Sequence, residues 1–355
     1  LKKVIRLSVV IATFNSGKYL DKVLTAIADQ NFPCSEIEVI LVDGGSSDHT
    51  REIGEKYSCR WIENPRTEPI YAKYLGFLNA QGQYLVYLDH DEVLMNPCSF
   101  SKRVKAMEDS QDIKAIVVSG YVNPKGHPVI NDYINEFGDP FSFFIYRLSK
   151  DARFFIPTLR ERYAVIKESQ DIIIFNLAGV SDLPLIELCA GGGMIDRAYF
   201  EDQFKNELSG PELIPHFFYL LAKQKASLTL SKGDELEHYS VDRLANYLRK
   251  IKWRIKNNIF FKDRMGVSGF SGRVQYSSQW NQIKPILFIP YALLVLPALL
   301  DSIYLCVTRK KIGYLAHVFL CMYCASAIVI FSILKLFGYS PSLKSYDEKK
   351  SIPLN

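Results

Sequence analysis

Cysteine is sparse in this chain and poorly placed for cross-linking. The seven cysteines, at positions 34, 59, 98, 189, 306, 321 and 324, are scattered and odd in number, and three of them fall in apolar runs. That usage argues against a disulfide framework and predicts reduced thiols in a domain that faces the cytosol. The G-x-G-x-x-G turn and the G-K-[ST] loop are both missing, which disfavours a dinucleotide oxidoreductase and a P-loop enzyme. No zinc spacing and no alternation of basic with aromatic residues supports a nucleic-acid partner. The apolar run Leu7–Ala12 is too short for a signal peptide and no small-residue cleavage site follows it, so it reads as a buried strand.

Long apolar runs, in contrast, are present, and they sit at one end. Of 355 residues 48% are hydrophobic, enough to bury a full catalytic domain with residues to spare, but the average hides a split. Up to about residue 240 the composition is that of an ordinary folded domain. Ile283–Val307 and Ile312–Phe337 are long enough to cross a hydrocarbon core of roughly 30 Å, so membrane attachment is expected. The formal net charge is +5, and the excess is concentrated just before the first run, at Arg243, Arg249, Lys250, Lys252, Arg254, Lys256, Lys262 and Arg264. Basic residues clustered beside a membrane segment favour an anionic leaflet. Leu244, Leu248, Ile251, Ile255 and Ile259 recur among them at helical spacing, which predicts an interfacial amphipathic helix; packing on the domain is the alternative. Arg309, Lys310 and Lys311 in the link between the runs favour the cytoplasm, as does the larger cluster. Two ordinary crossings and a first run broken at Pro285, Pro290, Pro297 or Asp301 are both open.

The first part of the chain alternates strand and helix patterns. Leu7–Ala12 is a strand, followed by a helix over about 18–30 with Leu20, Val23, Leu24 and Ile27 on one face. Glu38–Val42 is the next strand and ends in Asp43-Gly44-Gly45-Ser46-Ser47-Asp48, where Ser47 or Asp48 caps a helix through Tyr57. A short strand at 60–63, a helix over 68–80 and the run Tyr84–Leu88 follow. This alternation implies an α/β fold with a doubly wound, mostly parallel sheet. Tyr84–Leu88 breaks at once into Asp89-His90-Asp91-Glu92. Carboxylates at the carboxyl end of a parallel strand face the edge where ligands bind, and two aspartates one residue apart can share a hard cation with phosphate oxygens. A solvated acidic turn is the blander reading.

The segments VVIATFN, EVILVDGGSSDHT and AQGQYLVYLDHDEV, in this order and spacing, resemble the nucleotide-sugar half of the family 2 glycosyltransferases, which have the GT-A fold. The resemblance implies a donor site for a UDP- or GDP-sugar made by Thr13, Phe14 and Asn15 of the first loop, with Asp43 at the base or ribose and Asp48 in motif. It gives Asp89 and Asp91 the ribose, the diphosphate and a Mg²⁺ or Mn²⁺ ion. Asp48 is equally a helix cap. Tyr71-Ala72-Lys73-Tyr74 replaces an Arg-Asn pair often found in such relatives, leaving Lys73 to supply the missing cation.

A helix is expected over 100–107 and a strand over 113–119. The aromatic-rich stretch 121–182 follows, as an acceptor-specific insertion or as extra packing. The family pattern returns at Leu188-Cys189-Ala190-Gly191-Gly192-Gly193, and the resemblance puts Gly191, Gly192 and Gly193 under the donor sugar and acceptor. Ser209-Gly210-Pro211-Glu212 opens a helix over 213–223; Glu212 stands where relatives carry the general base, although the family's Gly-Glu-Asp is changed here. A carboxylate in a first helical turn also suits the helix dipole. Ala226–Leu230 is a last strand, and His238 in Glu-x-His matches a third metal ligand in some relatives or is a packing residue.

These readings predict a glycosyltransferase domain over 1–240, with a nucleotide-sugar half to 120 and an acceptor half after it. A basic interfacial segment over 241–282, membrane segments over 283–337 and a polar tail to 355 complete the expected layout. The expected activity is metal-dependent, inverting transfer to a hydroxyl of a lipid-linked or cell-surface glycan, at a membrane and facing the cytoplasm. A polyprenyl phosphate acceptor, already anionic and needing no base, and a catalytically silent scaffold are the alternatives.

Overall fold

In the computed structural model, residues 4–180, 191–224, 227–261 and 278–344 are described. They fall into two units: one built from 1–122 and 152–238, the other from 123–151 and 239–355.

The first unit contains the strands β1 (Leu7–Thr13), β2 (Ile37–Asp43), β3 (Arg60–Glu63), β4 (Tyr84–Asp89), β5 (Glu92–Leu94), β6 (Ala115–Val117), β7 (Gly120–Val122), β8 (Val165–Glu168), β9 (Ile172–Asn176), β10 (Met194–Asp196), β11 (Ser227–Ser231) and β12 (Glu235–His238). Among the described residues they form a nine-stranded sheet, ordered β3-β2-β1-β4-β10-β6-β11-β9-β8, and a three-stranded sheet, β5-β12-β7. β3, β2, β1 and β4 are all parallel. They are the apolar runs of the sequence, and Val9, Val10, Ile11, Leu85, Val86 and Leu88 are fully buried, as strands covered on both faces must be. The helix Leu20–Ala28 buries Leu20, Val23, Leu24 and Ile27, the stripe that its spacing predicts. β10 lies antiparallel between β4 and β6. The fold is the α/β, GT-A-type arrangement.

Two local expectations change. The helix over 213–223 is a 3-10 segment, Pro211–His216, followed by an α-helix, Phe217–Lys223; Pro215 has no amide hydrogen for the α-helical ladder. The strand expected over 113–119 is only β6, Ala115–Val117, and β7, just beyond it, belongs to the other sheet.

The second unit is helical. Residues 123–151, which the sequence reading placed in the 121–240 half, contribute the helices Val129–Phe137 and Pro140–Tyr146. Their aromatic residues Tyr133, Phe137, Phe143 and Phe144 are buried with Tyr247, Phe288, Tyr314 and Leu320 in one apolar cluster. The packing role therefore accounts for these rings. The helix Leu244–Phe260 buries Tyr247 and Ile251, and Leu248 and Ile255 are packed against the same cluster. Its apolar stripe is thus covered largely by protein.

Ile312–Leu336 is one helix long and apolar enough to cross a membrane. The first apolar run, for which an ordinary crossing and a broken segment were both open, is two helices, Gln282–Leu293 and Leu296–Arg309, that meet at 87°. The break falls at Val295, whose φ is 62°, with a proline in the opening turn of the second helix. A β-branched residue in the left-handed region cannot continue an α-helix.

Candidate active site

The parallel strands carry their loops to one edge. Thr13 stands opposite Asp43 in the β1–β2 ladder and Ala12 opposite Asp89 in the β1–β4 ladder, so the first loop, the Asp43 loop and the D-x-D turn share the carboxyl end of the sheet.

Hydrogen bonds knit the first two loops together. The Asp43 carboxylate accepts from the Thr13 hydroxyl (2.9 Å), from the amides of Gly45 (2.8 Å) and Ser46 (2.7 Å), and from the Ser46 hydroxyl (2.5 Å). Asn15, at φ 49°, accepts at Oδ1 from the Ser47 amide at 2.9 Å, and its own amide donates to Ser46 Oγ at 2.8 Å. Phe14 sits between them, its amide donating to Ser16 Oγ at 3.0 Å. Asp48 accepts from the amides of Gly17 (2.9 Å) and Thr50 (3.1 Å), which ties the first loop to the start of the helix Thr50–Lys56. Burial opposes the charge of Asp48, but these bonds and one from the Thr50 hydroxyl hold its carboxyl below the usual range. Asp48 stands one residue before His49, the N-cap, and meets the first helical amide, that of Thr50.

A second group surrounds the D-x-D turn. Lys73, buried in the helix Pro69–Asn79, points its ammonium at Asp89 Oδ1, 2.9 Å away. Burial favours neutral Lys73, yet the carboxylates of Asp89 and Glu92 overcome it and raise the lysine's pKa. Asp89, likewise desolvated, is held below its ordinary pKa by Lys73. Asp91 faces His238, with Oδ2 and Nε2 3.7 Å apart. The small sheet causes this meeting, because β12 runs antiparallel to β5 and sets His238 opposite Glu92.

Glu92 and Tyr121 belong to this group, and the sequence reading assigned them no role. Glu92 is 1% exposed, accepts from the Asp89 amide at 2.9 Å and from the Tyr121 hydroxyl at 2.6 Å. Burial, reinforced by the charge of Asp89, pushes its carboxyl up to about 7. The Tyr121 ring lies 4.9 Å from that of His238. Adjacency to the D-x-D pair was the available signal for Glu92; Tyr121 had none, since its place depends on β7.

The glycine turn closes against the same residues. A side chain at Gly191 would collide with the Tyr121 hydroxyl and the Glu92 carboxylate, so only glycine fits there without displacing them. Gly192 adopts φ 65°, and the turn is clamped to β4 by Gly192 N to Tyr87 O (2.8 Å) and Tyr87 N to Gly193 O (3.2 Å). Beneath it the Arg103 guanidinium donates to Gly192 O and forms a fully buried ion pair with Asp234 at 3.0 Å. Arg103 shares a helical stripe with Phe100, Val104 and Met107, and a cation in an apolar stripe was the signal for it. Arg103→Ala strands the Asp234 charge in the interior and is expected to cost about 3–5 kcal/mol, read by denaturant unfolding. A cost below about 1 kcal/mol would show that this pair does not hold the turn.

The Glu212 side chain lies outside the described residues. Its backbone is in the 3-10 segment, which packs on the helix Pro69–Asn79 and is tied to it by the Tyr74 hydroxyl donating to Ser209 O at 2.7 Å. Cys189 and Ala190, before the glycines, are also outside the described residues.

A parallel sheet with an acidic pair at the end of β4 and a glycine turn against it is the arrangement of the GT-A fold. Residues 8–162 match the model of Glycosyl transferase family 2. Over 129 residues it is 30% identical to the poly(ribitol-phosphate) beta-N-acetylglucosaminyltransferase TarS of Staphylococcus aureus, covering 35% of this chain and 22% of that protein. Over another 129 it is 28% identical to a dolichyl N-acetyl-alpha-D-glucosaminyl phosphate 3-beta-D-2,3-diacetamido-2,3-dideoxy-beta-D-glucuronosyltransferase of Methanococcus voltae, covering 33% of this chain and 39% of that one. The chain thus spans well under half the length of these curated relatives. Its fold is similar to that of the mannosyltransferase PcManGT from Pyrobaculum calidifontis, solved with GDP-Man and Mn²⁺, at a TM-score of 0.51 and 14% identity over 96% of this chain and 89% of that one.

Proposed function

We propose that this chain is a membrane-attached, divalent-metal-dependent, inverting glycosyltransferase. It moves a sugar from a UDP- or GDP-linked donor to a hydroxyl of a lipid-linked or cell-surface glycan, on the cytoplasmic side. The observation that carries the reading is the acidic turn itself: Asp89 against Lys73 and Asp91 against His238, at the strand edge that also bears Thr13 and Asp43.

Among the described residues no group of three His, Cys, Asp or Glu is gathered to hold an ion unaided. Asp91 and His238 nonetheless offer a carboxylate and an imidazole, with Asp89 adjacent, an open set of the kind that Mg²⁺ or Mn²⁺ completes with diphosphate oxygens and water. When bound, such an ion supplies positive charge to the departing nucleoside diphosphate. Lys73 keeps Asp89 ionised and oriented. Thr13, Phe14, Asn15 and Asp43 receive the nucleoside end, and Gly191–Gly193 leave room for the donor sugar. Glu212 takes the proton of the acceptor hydroxyl during in-line attack at the anomeric carbon. Inversion follows from the family resemblance. A lipid-linked acceptor is supported by the name of the Methanococcus voltae relative and by the apolar helices of the second unit.

Donor class is tested by melting the full-length protein with a panel of nucleotide sugars and Mn²⁺. A ligand at 100 times its Kd adds about 2.7 kcal/mol, a rise of several degrees in Tm. The expected result is a rise with UDP- or GDP-sugars that EDTA removes. No rise with any nucleotide sugar, at any metal concentration, counts against the reading.

A further inference from the structure

The second unit carries a charge pattern that bears on how it meets a membrane. Its helix Leu244–Phe260 lies alongside Ala316–Leu336, and contacts advance together along both: the Tyr323 hydroxyl donates to Leu248 O at 3.3 Å, the Phe260 ring stands 6.2 Å from that of Phe331, and Lys335 donates to Ile259 O. The two helices therefore run side by side in the same direction. Arg249, Lys250, Lys252, Arg254 and Lys256 consequently lie level with the middle of the long apolar helix, and Arg249, Lys252 and Arg254 are exposed. If Ala316–Leu336 crossed a bilayer, its partner helix would carry these cations to the hydrocarbon centre, where charged side chains are rare and costly.

The bent first run gives an independent observation. Lys284, near its start, donates to Ile145 O. At its far end Arg309 donates through Nε and Nη2 to one carboxylate oxygen of the fully buried Glu136, and Lys311 pairs with Asp132 at 2.7 Å. Glu136 and Ile145 are nine residues apart, on two short helices joined through Gly138 and Asp139. One short segment thus holds both ends of the run, and neither Gln282–Leu293 nor Leu296–Arg309, about 18 and 21 Å long by helical rise, spans a hydrocarbon core of about 30 Å alone. The 87° bend sets these two helices nearly at right angles.

We propose that neither apolar run crosses the membrane, and that the second unit is a one-leaflet anchor. Its exposed apolar residues, such as Ile286, Leu294, Leu300, Val307, Phe319 and Phe337, enter the acyl region of one leaflet. The basic face of Leu244–Phe260 stays among anionic headgroups on the same side. The partner is an anionic lipid surface, and the proposal rests on the membrane-attached reading above. It adds that residue 310, residue 340 and the glycosyltransferase domain all lie on one side.

The test is thiol accessibility in sealed inverted membrane vesicles from cells expressing the full-length chain. Three forms each keep one cysteine in an otherwise cysteine-free background: native Cys34, which is exposed, Lys310→Cys and Ser340→Cys. An impermeant maleimide added outside is expected to label all three alike, without detergent. Labelling of Cys34 with protection of Lys310→Cys until detergent is added would mean that the first run crosses. Protection of Ser340→Cys would mean that the last helix does. Either result overturns the one-leaflet anchor while leaving membrane attachment standing. Recovery of the chain in the supernatant after sedimentation overturns attachment and anchor together. If the cysteine-free background fails to fold, peptide tags inserted after Lys310 and at the carboxyl terminus of the native-cysteine chain, read by protease protection, decide between the same outcomes.

Discussion

Glu212→Gln is expected to lower sugar transfer by roughly 10²- to 10⁴-fold, the range that a positioned general base contributes. Glutamine keeps the shape and most of the hydrogen bonding of glutamate but cannot accept the proton that an acceptor hydroxyl must lose. Donor affinity should therefore survive while kcat and kcat/KM fall together, the signature of a group that acts in the transition state. The acceptor class decides the size of the effect. A polyprenyl phosphate presents an oxygen that is already ionised, and the same substitution would then cost little. A glutamate that only favours a helix dipole would likewise change turnover by a small factor. Near-native turnover in Glu212→Gln would remove the base assignment and move the acceptor to a lipid phosphate.

Asp91→Ala should abolish metal-dependent donor binding and leave the fold intact. Asp91 is half-buried beside His238, on the short connection from β4 to β5, and contributes little to the core that those strands build. Without it, the cation is left to His238 and to Asp89, whose near oxygen is already engaged by Lys73 at 2.9 Å. The diphosphate charge then goes uncompensated, because Mg²⁺ and Mn²⁺ sites of this kind depend on one or two carboxylates. Binding of the nucleotide sugar, followed calorimetrically with and without EDTA, checks this. Unchanged affinity in both conditions would show that Asp91 holds no metal; a fall in Tm of the free protein by more than a few degrees would show a structural role instead.

Sequence patterns carried the parallel half of the sheet well, for identifiable reasons. Runs such as Val9–Ile11 and Leu85–Leu88 are apolar on both faces, and their loops break into Thr, Asn, Asp and Gly, so strand, edge and ligand-facing loop are legible from local composition alone. Lys73 was legible only through the family resemblance, as a stand-in for a missing cation; its direction, toward Asp89, comes from the structure. Pairings between distant residues were not legible. Arg309 and Glu136 are 173 residues apart, and nothing near Arg309 reveals that its charge is answered by a buried glutamate. The basic link 309–311 likewise posed a topological conflict in sequence, and nothing local shows that Arg309 and Lys311 are paired with Glu136 and Asp132. The aromatic stretch after 121 could not be assigned because its partners, Phe288 and Tyr314, lie beyond residue 280. Arg103 and Asp234 meet under the glycine turn only after β12 has been placed, and Gly191 is confined by Tyr121, which arrives on β7. The bend at Val295 depends on a single backbone angle that no spacing rule reports.

The most direct measurement is release of nucleoside diphosphate by the purified full-length protein, supplied with Mn²⁺ or Mg²⁺, a panel of UDP- and GDP-sugars and glycan or lipid-linked acceptors. A nucleotide-sugar transferase built on Asp89 and Asp91 predicts release with at least one donor, accelerated by acceptor, stopped by EDTA and absent in Asp91→Ala. Protein that binds and releases nothing across the panel, while remaining folded and membrane-attached, would contradict that assignment and leave a silent scaffold with a glycosyltransferase fold.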